Sequence, residues 1–90
     1  MCMKVEWDTD KEASNLNKHG VDFEEASTAL LDPMALARED EDFEGEPRWI
    51  IIGMSQKTRL LTVIHTVRLE NSIRIISARK ATRKEATYYA

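Results

Sequence analysis

Ninety residues, 42% of them hydrophobic and 32% charged, describe one folded domain spanning 1–90 and exclude a disordered tail. The longest apolar run, Trp49 to Ile52, is too short to cross a membrane, and MCMKVEW lacks the apolar stretch of a signal peptide. With a single cysteine, Cys2, this points to a disulfide-free protein of the cytoplasm. The net charge of −3 hides a division: residues 1–47 carry four Lys/Arg against fourteen Asp/Glu, and residues 48–90 carry nine against two. Such a division is either an uneven ordering of an ordinary charged shell, or a surface with a basic face for a polyanion and an acidic face for a basic partner.

In chain order, Lys4 to Trp7 alternates as a short strand. Asp8 suits the N-cap of a helix over Thr9–Lys18, with Glu12 at the positive end of its dipole. Only Ala13 and Leu16 are clearly apolar there, which predicts a helix on the surface. Gly20 supplies its left-handed stop. Asp22 and Glu25 make a second cap-like pair, and Phe23, Ala26, Ala29 and Leu30 form an apolar stripe at helical spacing that ends at Asp32-Pro33. Met34–Arg38 reads as a short edge strand, and Glu39–Glu46, EDEDFEGE, as an acidic loop. Arg48–Met54, Arg59–Arg68 and Ser72–Arg79 read as three strands, joined closely enough for an antiparallel meander. Thr82 and Glu85 have capping-box spacing, so a short helix follows over Arg83–Tyr89. The expected fold is α+β: an antiparallel sheet with two N-terminal helices packed on it and a short C-terminal helix.

Several chemistries lack their ligands. Asp40, Asp42, Glu44 and Gly45 match the start of a calcium loop, but Ile51 stands where its bidentate Glu is required. One Cys and two His make no zinc cluster, and Gly20, Gly45 and Gly53 are too scattered for a phosphate loop. Cys2, beside the terminus, has no framework for a Cys–His nucleophile pair. The expectation is therefore no metal and no cofactor.

Positive charge instead gathers at one strand–helix junction, where SIRIISARKATRK brings together Arg74, Arg79, Lys80, Arg83 and Lys84. Arginine offers a fixed donor fork for phosphate, and His19 and His65 are the side chains best suited to moving protons near neutral pH. His65 falls in phase with Leu61, Val63 and Val67, so it also suits a hydrogen-bonded structural role; His19 also suits a helix C-terminus. Trp7, Tyr88 and Tyr89 could stack on unpaired bases, and Trp7 equally suits the core. An RNA 2′-hydroxyl attacks its own phosphate given a base, an acid and cations. The residues alone leave open a metal-free RNA cleaver, a nucleic-acid-binding module and a protein-binding module.

VEWDTDKEASNLNKHGVDFEEA and IRIISARKATRKE resemble the BrnT family, toxins of BrnT–BrnA type II toxin–antitoxin systems. The pieces W-D-x-x-K, K-H-G-V-x-F-E-E-A and R-I-I-S-A-R-x-A occur in the family's order, with Arg48, Gly53 and His65-Thr66 between them. The resemblance implies a RelE-like fold and a metal-independent ribonuclease that inhibits translation and growth. It also implies a BrnA-like ribbon-helix-helix antitoxin that neutralises the toxin and links it to operator DNA; a catalytically inactive, antitoxin-binding member is the alternative. The positions it carries over as catalytic are Lys18, His19, His65, Arg74 and Arg79. The roles expected of them are acid or base for His65, phosphate clamp for Arg74 and Arg79, backbone contact or leaving-group stabiliser for Lys18, and either catalysis or the helix terminus for His19. Arg83, Lys84 and Trp7 are the expected RNA contacts. One geometric condition follows. Arg74 and Arg79 are five residues apart, so they share a face only if the strand breaks its alternation between them.

Overall fold

The residues chosen as caps act as caps. In the computed structural model, which describes residues 4–40, 47–67 and 72–89, the Asp8 carboxylate accepts from the N–H groups of Asp10 and Lys11 at 2.8 and 3.3 Å and opens α1 (Thr9–His19). Gly20, at φ +71°, closes it. Asp22 accepts from Glu25 N–H at 2.7 Å to open α2 (Phe23–Ala29), and Thr82 with Glu85 forms a complete capping box for α3 (Arg83–Tyr88).

The strands β1 (Lys4–Trp7), β2 (Leu36–Asp40), β3 (Arg48–Met54), β4 (Leu60–Val67) and β5 (Ser72–Lys80) make one sheet in the order β1-β5-β4-β3-β2. From β2 to β5 neighbours run antiparallel, but β1 lies parallel to β5, pairing Lys4–Trp7 with Ser72–Ile75. The sheet is therefore mixed, not the purely antiparallel one expected. The cause is the connection: α1 and α2 carry the chain from one edge of the sheet to the other, so β1 meets β5 without a hairpin. β2 starts two residues later than expected and takes in Glu39 and Asp40. The remainder of the acidic loop, Arg68, the 69–71 connection and Cys2 lie outside the described residues.

One face of the sheet is covered by α1 and α2. Val21, Phe23, Ala26 and Ala29 pack there against Leu61, Val63, Ile75 and Ala78, with Val5, Trp7, Leu30 and Ile51 around them. Each fully buried large side chain contributes about 1.5–3 kcal/mol of transfer free energy. α2 approaches β3 so closely that a Cβ on Gly53 would stand 2.5 Å from the Ala29 carbonyl oxygen. The buried Glu25 carboxylate ties α2 to the turn between β3 and β4, accepting from the Arg59 guanidinium and from the Ser55 hydroxyl at 2.7 Å. The Arg59 fork holds the Glu25 carboxyl below its usual range despite burial.

α1 lies on the surface, as expected, but its two apolar residues do not face the sheet. Leu16 is 48% exposed, Ala13 is also exposed, and the buried residue of the helix is Asn15. The helix meets β5 where backbone polar groups need partners, and an amide satisfies them where a methyl group would not.

Candidate active site

β5 breaks its alternation between the two arginines. Ser77 pairs with Ile64, but the next residue of β4, His65, pairs with Ile75, so Ile76 is an extra residue without an opposite number. This β-bulge resets the two-residue period. Arg74 pairs with Thr66 and Arg79 with Thr62. Thr62 and Thr66 are four apart on a strand with no insertion, so all four side chains belong to one face. It is the face opposite Leu61 and Val63, away from α1 and α2. Ile50 and Ile52 of β3 continue it, followed by Leu36 and Arg38 of β2, while Glu6 of β1 pairs with Arg74.

α3 arches over this open face. At its start, Arg79 donates to both Glu85 oxygens, at 2.7 and 2.9 Å, and the Thr62 hydroxyl and Thr82 N–H donate to the same carboxylate at 3.0 and 2.8 Å. Four donors hold the Glu85 carboxyl at about 2, the Arg79 fork being the largest influence. At its far end, the Tyr89 hydroxyl donates to Asp32, which also accepts from the N–H groups of Met34 and Met54. Between these attachments lies a cleft of about 560 Å³, floored by Leu36, Ile50 and Ile52 and flanked by Tyr88, Arg38 and Lys84. The cleft joins apolar surface to cations, as a nucleotide requires.

The other expected site residues lie elsewhere. His65 pairs with Trp49 and Ile75 on the helix-covered face, 6% exposed, and burial lowers its pKa. Its Nδ1 has no hydrogen-bond partner among the described residues. Trp7 is a core residue, edge-on to Phe23 with ring centroids 6.2 Å apart, and its indole N–H donates to Glu12 at 3.1 Å. Lys18 and His19 are exposed in the last turn of α1, the helix that packs on the covered face. Arg83 and Lys84 are exposed in the first turn of α3, and Lys84 lines the cleft. The structure thus unites Arg74, Arg79 and Lys84 with the open face and separates them from both histidines.

The family model for the ribonuclease toxin BrnT of type II toxin–antitoxin systems matches residues 7–85. The chain belongs to the BrnT family. The crystal structure of the Brucella abortus ribonuclease toxin BrnT is similar to it with a TM-score of 0.69 and 26% identity, over 90% of this chain and 99% of that one. No curated protein sequence matches the chain. The α+β architecture described above is thus that of a BrnT toxin, and membership implies an RNA substrate and an antitoxin partner. In this BrnT chain, sequence reasoning passed over Glu85 and Arg38 as site residues. Thr82-x-x-Glu85 announced Glu85 as a helix cap, and only the paired strands reveal that the same carboxylate engages Arg79. Among the described residues no group of three His, Cys, Asp or Glu stands close enough to hold a metal ion.

Proposed function

We propose that the open face is the RNA-cleaving site of a metal-independent endoribonuclease of RelE-like architecture. The observation that carries this reading is the bulge at Ile76, which gives Arg74 and Arg79 one face of the sheet, the face on which a nucleotide-sized cleft opens. Their guanidinium groups grip the scissile phosphate. The RNA 2′-oxygen attacks phosphorus, a new P–O2′ bond forms, and the P–O5′ bond breaks, leaving a 2′,3′-cyclic phosphate and a free 5′-hydroxyl. The arginines stabilise charge as it grows on the phosphoryl oxygens. Water takes the 2′-hydroxyl proton and protonates the departing oxygen, since both histidines face elsewhere. A neighbouring nucleotide lies on Ile50, Ile52 and Tyr88, with Arg38, Lys84 and Arg83 towards the backbone. In the cytoplasm this activity arrests translation and growth until a BrnA-like ribbon-helix-helix antitoxin covers the toxin, and operator DNA is reached only through that antitoxin.

Incubation of the purified chain with RNA in EDTA tests this. Cleavage with cyclic-phosphate ends is expected, and Arg74→Ala or Arg79→Ala should lower the rate about 10²–10³-fold. RNA left intact by the wild type, with harmless expression, overturns it. That result favours the second reading, an inactive antitoxin-binding module, which draws support from Glu85 already filling the Arg79 fork.

A further inference from the structure

Whether Arg79 reaches the open face depends on how β5 is held after its bulge. β1 pairs with β5 only as far as Trp7 and Ile75, so among the described residues the following stretch of β5 has β4 on one side and no strand on the other. A buried side chain stands in the missing place. Asn15 Oδ1 accepts from Ala78 N–H at 3.1 Å, and Asn15 Nδ2 donates to the Ala78 carbonyl at 2.7 Å. The carboxamide offers Ala78 one donor and one acceptor, as a neighbouring strand would. Its remaining capacity is used as well: Nδ2 donates to the Val21 carbonyl at 2.9 Å, and the Ser77 hydroxyl donates to Oδ1 at 3.3 Å. Asn15 is 6% exposed, so water does not compete for these bonds.

We propose that Asn15 is a positioning residue for RNA cleavage, acting as a one-residue strand that clamps β5 between the bulge and Arg79. The clamp fixes Ser77 and Ala78, the two residues between the inserted Ile76 and Arg79. With them fixed, strand alternation delivers Arg79 to the face of Arg74. Without it, the bulge is free to migrate along β5, turning each residue it passes to the opposite face, and once it moves beyond Arg79 that side chain leaves the face of Arg74. Asn15 touches neither substrate nor Arg79; it acts through backbone register. This rests on the cleavage reading above for its functional consequence, but its structural half can be measured without RNA.

The test is a double-mutant cycle of Asn15→Ala and Arg79→Ala, run below the unfolding transition of every variant, with two readouts. The first is an NMR titration of the Glu85 carboxyl, whose depression owes most to the Arg79 fork lying against it. In the Asn15→Ala protein its midpoint should climb from about 2 towards the ordinary value of 4.5, by as much as in Arg79→Ala. The second is RNA cleavage: Asn15→Ala should come within about threefold of Arg79→Ala, and the double variant should fall no further. A folded Asn15→Ala protein whose Glu85 titrates as in the wild type overturns the proposal, as do multiplying losses. If the wild type cleaves no RNA, the cleavage reading fails and the titration alone still judges Asn15. Should Asn15→Ala not fold, amide exchange in the unaltered chain decides: the Asn15 carboxamide and Ala78 N–H should exchange together and slowly, and a fast-exchanging carboxamide overturns the clamp.

Discussion

His65 and Glu85 show how a residue's role follows from the face on which it lands. His65 is buried among Trp49, Ile75 and the helix-covered core, where desolvation disfavours its charged form. Its folded pKa lies below the unfolded one, so the neutral ring contributes stability fully above about pH 6.5 and loses it as the pH falls through that value. Denaturant midpoints should drop between pH 7.5 and 5.5, and the drop should shrink in His65→Gln. With no histidine on the open face, the same variant should keep its RNA cleavage. A wild-type pH–rate profile that rises without an inflection near 6.5 would agree; a bell centred there, abolished in His65→Gln, would restore His65 to the chemistry. That His65 shares the phase of Leu61, Val63 and Val67 was legible in the sequence, and it carried the answer. Which face the helices cover was not legible from β4, because both of its faces alternate equally well. Asn15 was invisible for a related reason: periodicity finds buried residues by their apolar character, and the inward residue of α1 is an amide.

At the scale of elements, local chemistry predicted far more than pairing did. Asp8, Gly20, Asp22 and Thr82 placed the helix ends within a residue or so, because a cap is a contact between neighbours in the chain. The bulge lies in the pairing of β5 with β4, ten to thirteen residues back, and the parallel placement of β1 depends on residues sixty-eight positions away; neither is a contact between neighbours in the chain. Packing of α2 on β3 makes a sharp prediction. In Gly53→Ala the new methyl meets the Ala29 carbonyl, a backbone atom that moves only if the helix moves. The substitution should cost about 1–3 kcal/mol, read as a Tm lowered by roughly 4–8 °C for each kcal/mol. α3 has no buried residues and is held by its two polar attachments. Tyr89→Phe should therefore speed amide exchange throughout α3 while leaving the β4 amides unchanged, and equal protection in both proteins would contradict the arch.

Across the whole molecule, the shifted groups set a common acid response. Glu25, Asp32 and Glu85 all have carboxyls held below their ordinary values. A depressed carboxyl contributes stability above its unfolded pKa and loses it as the pH falls towards the folded value. For Glu85 that window runs from 4.5 down to about 2. Stability should decline in two stages on acidification, first through the histidine range and then more steeply below about pH 4.5; Glu85→Gln should soften the second stage and leave the first. The sheet order has a further consequence, for how the toxin comes into being. β1 is made before β5, its only strand neighbour among the described residues, which follows about sixty-five residues later. Closing so long a loop is entropically costly and slow compared with forming the β2–β5 hairpins. Trp7 can take its place against Phe23 only when β5 is available to receive β1, and β5 also bears both arginines. Because the chain is made from β1 towards β5, neither the core, to which β5 gives Ile75 and Ala78, nor the face proposed to cleave RNA can be completed before β5 has left the ribosome.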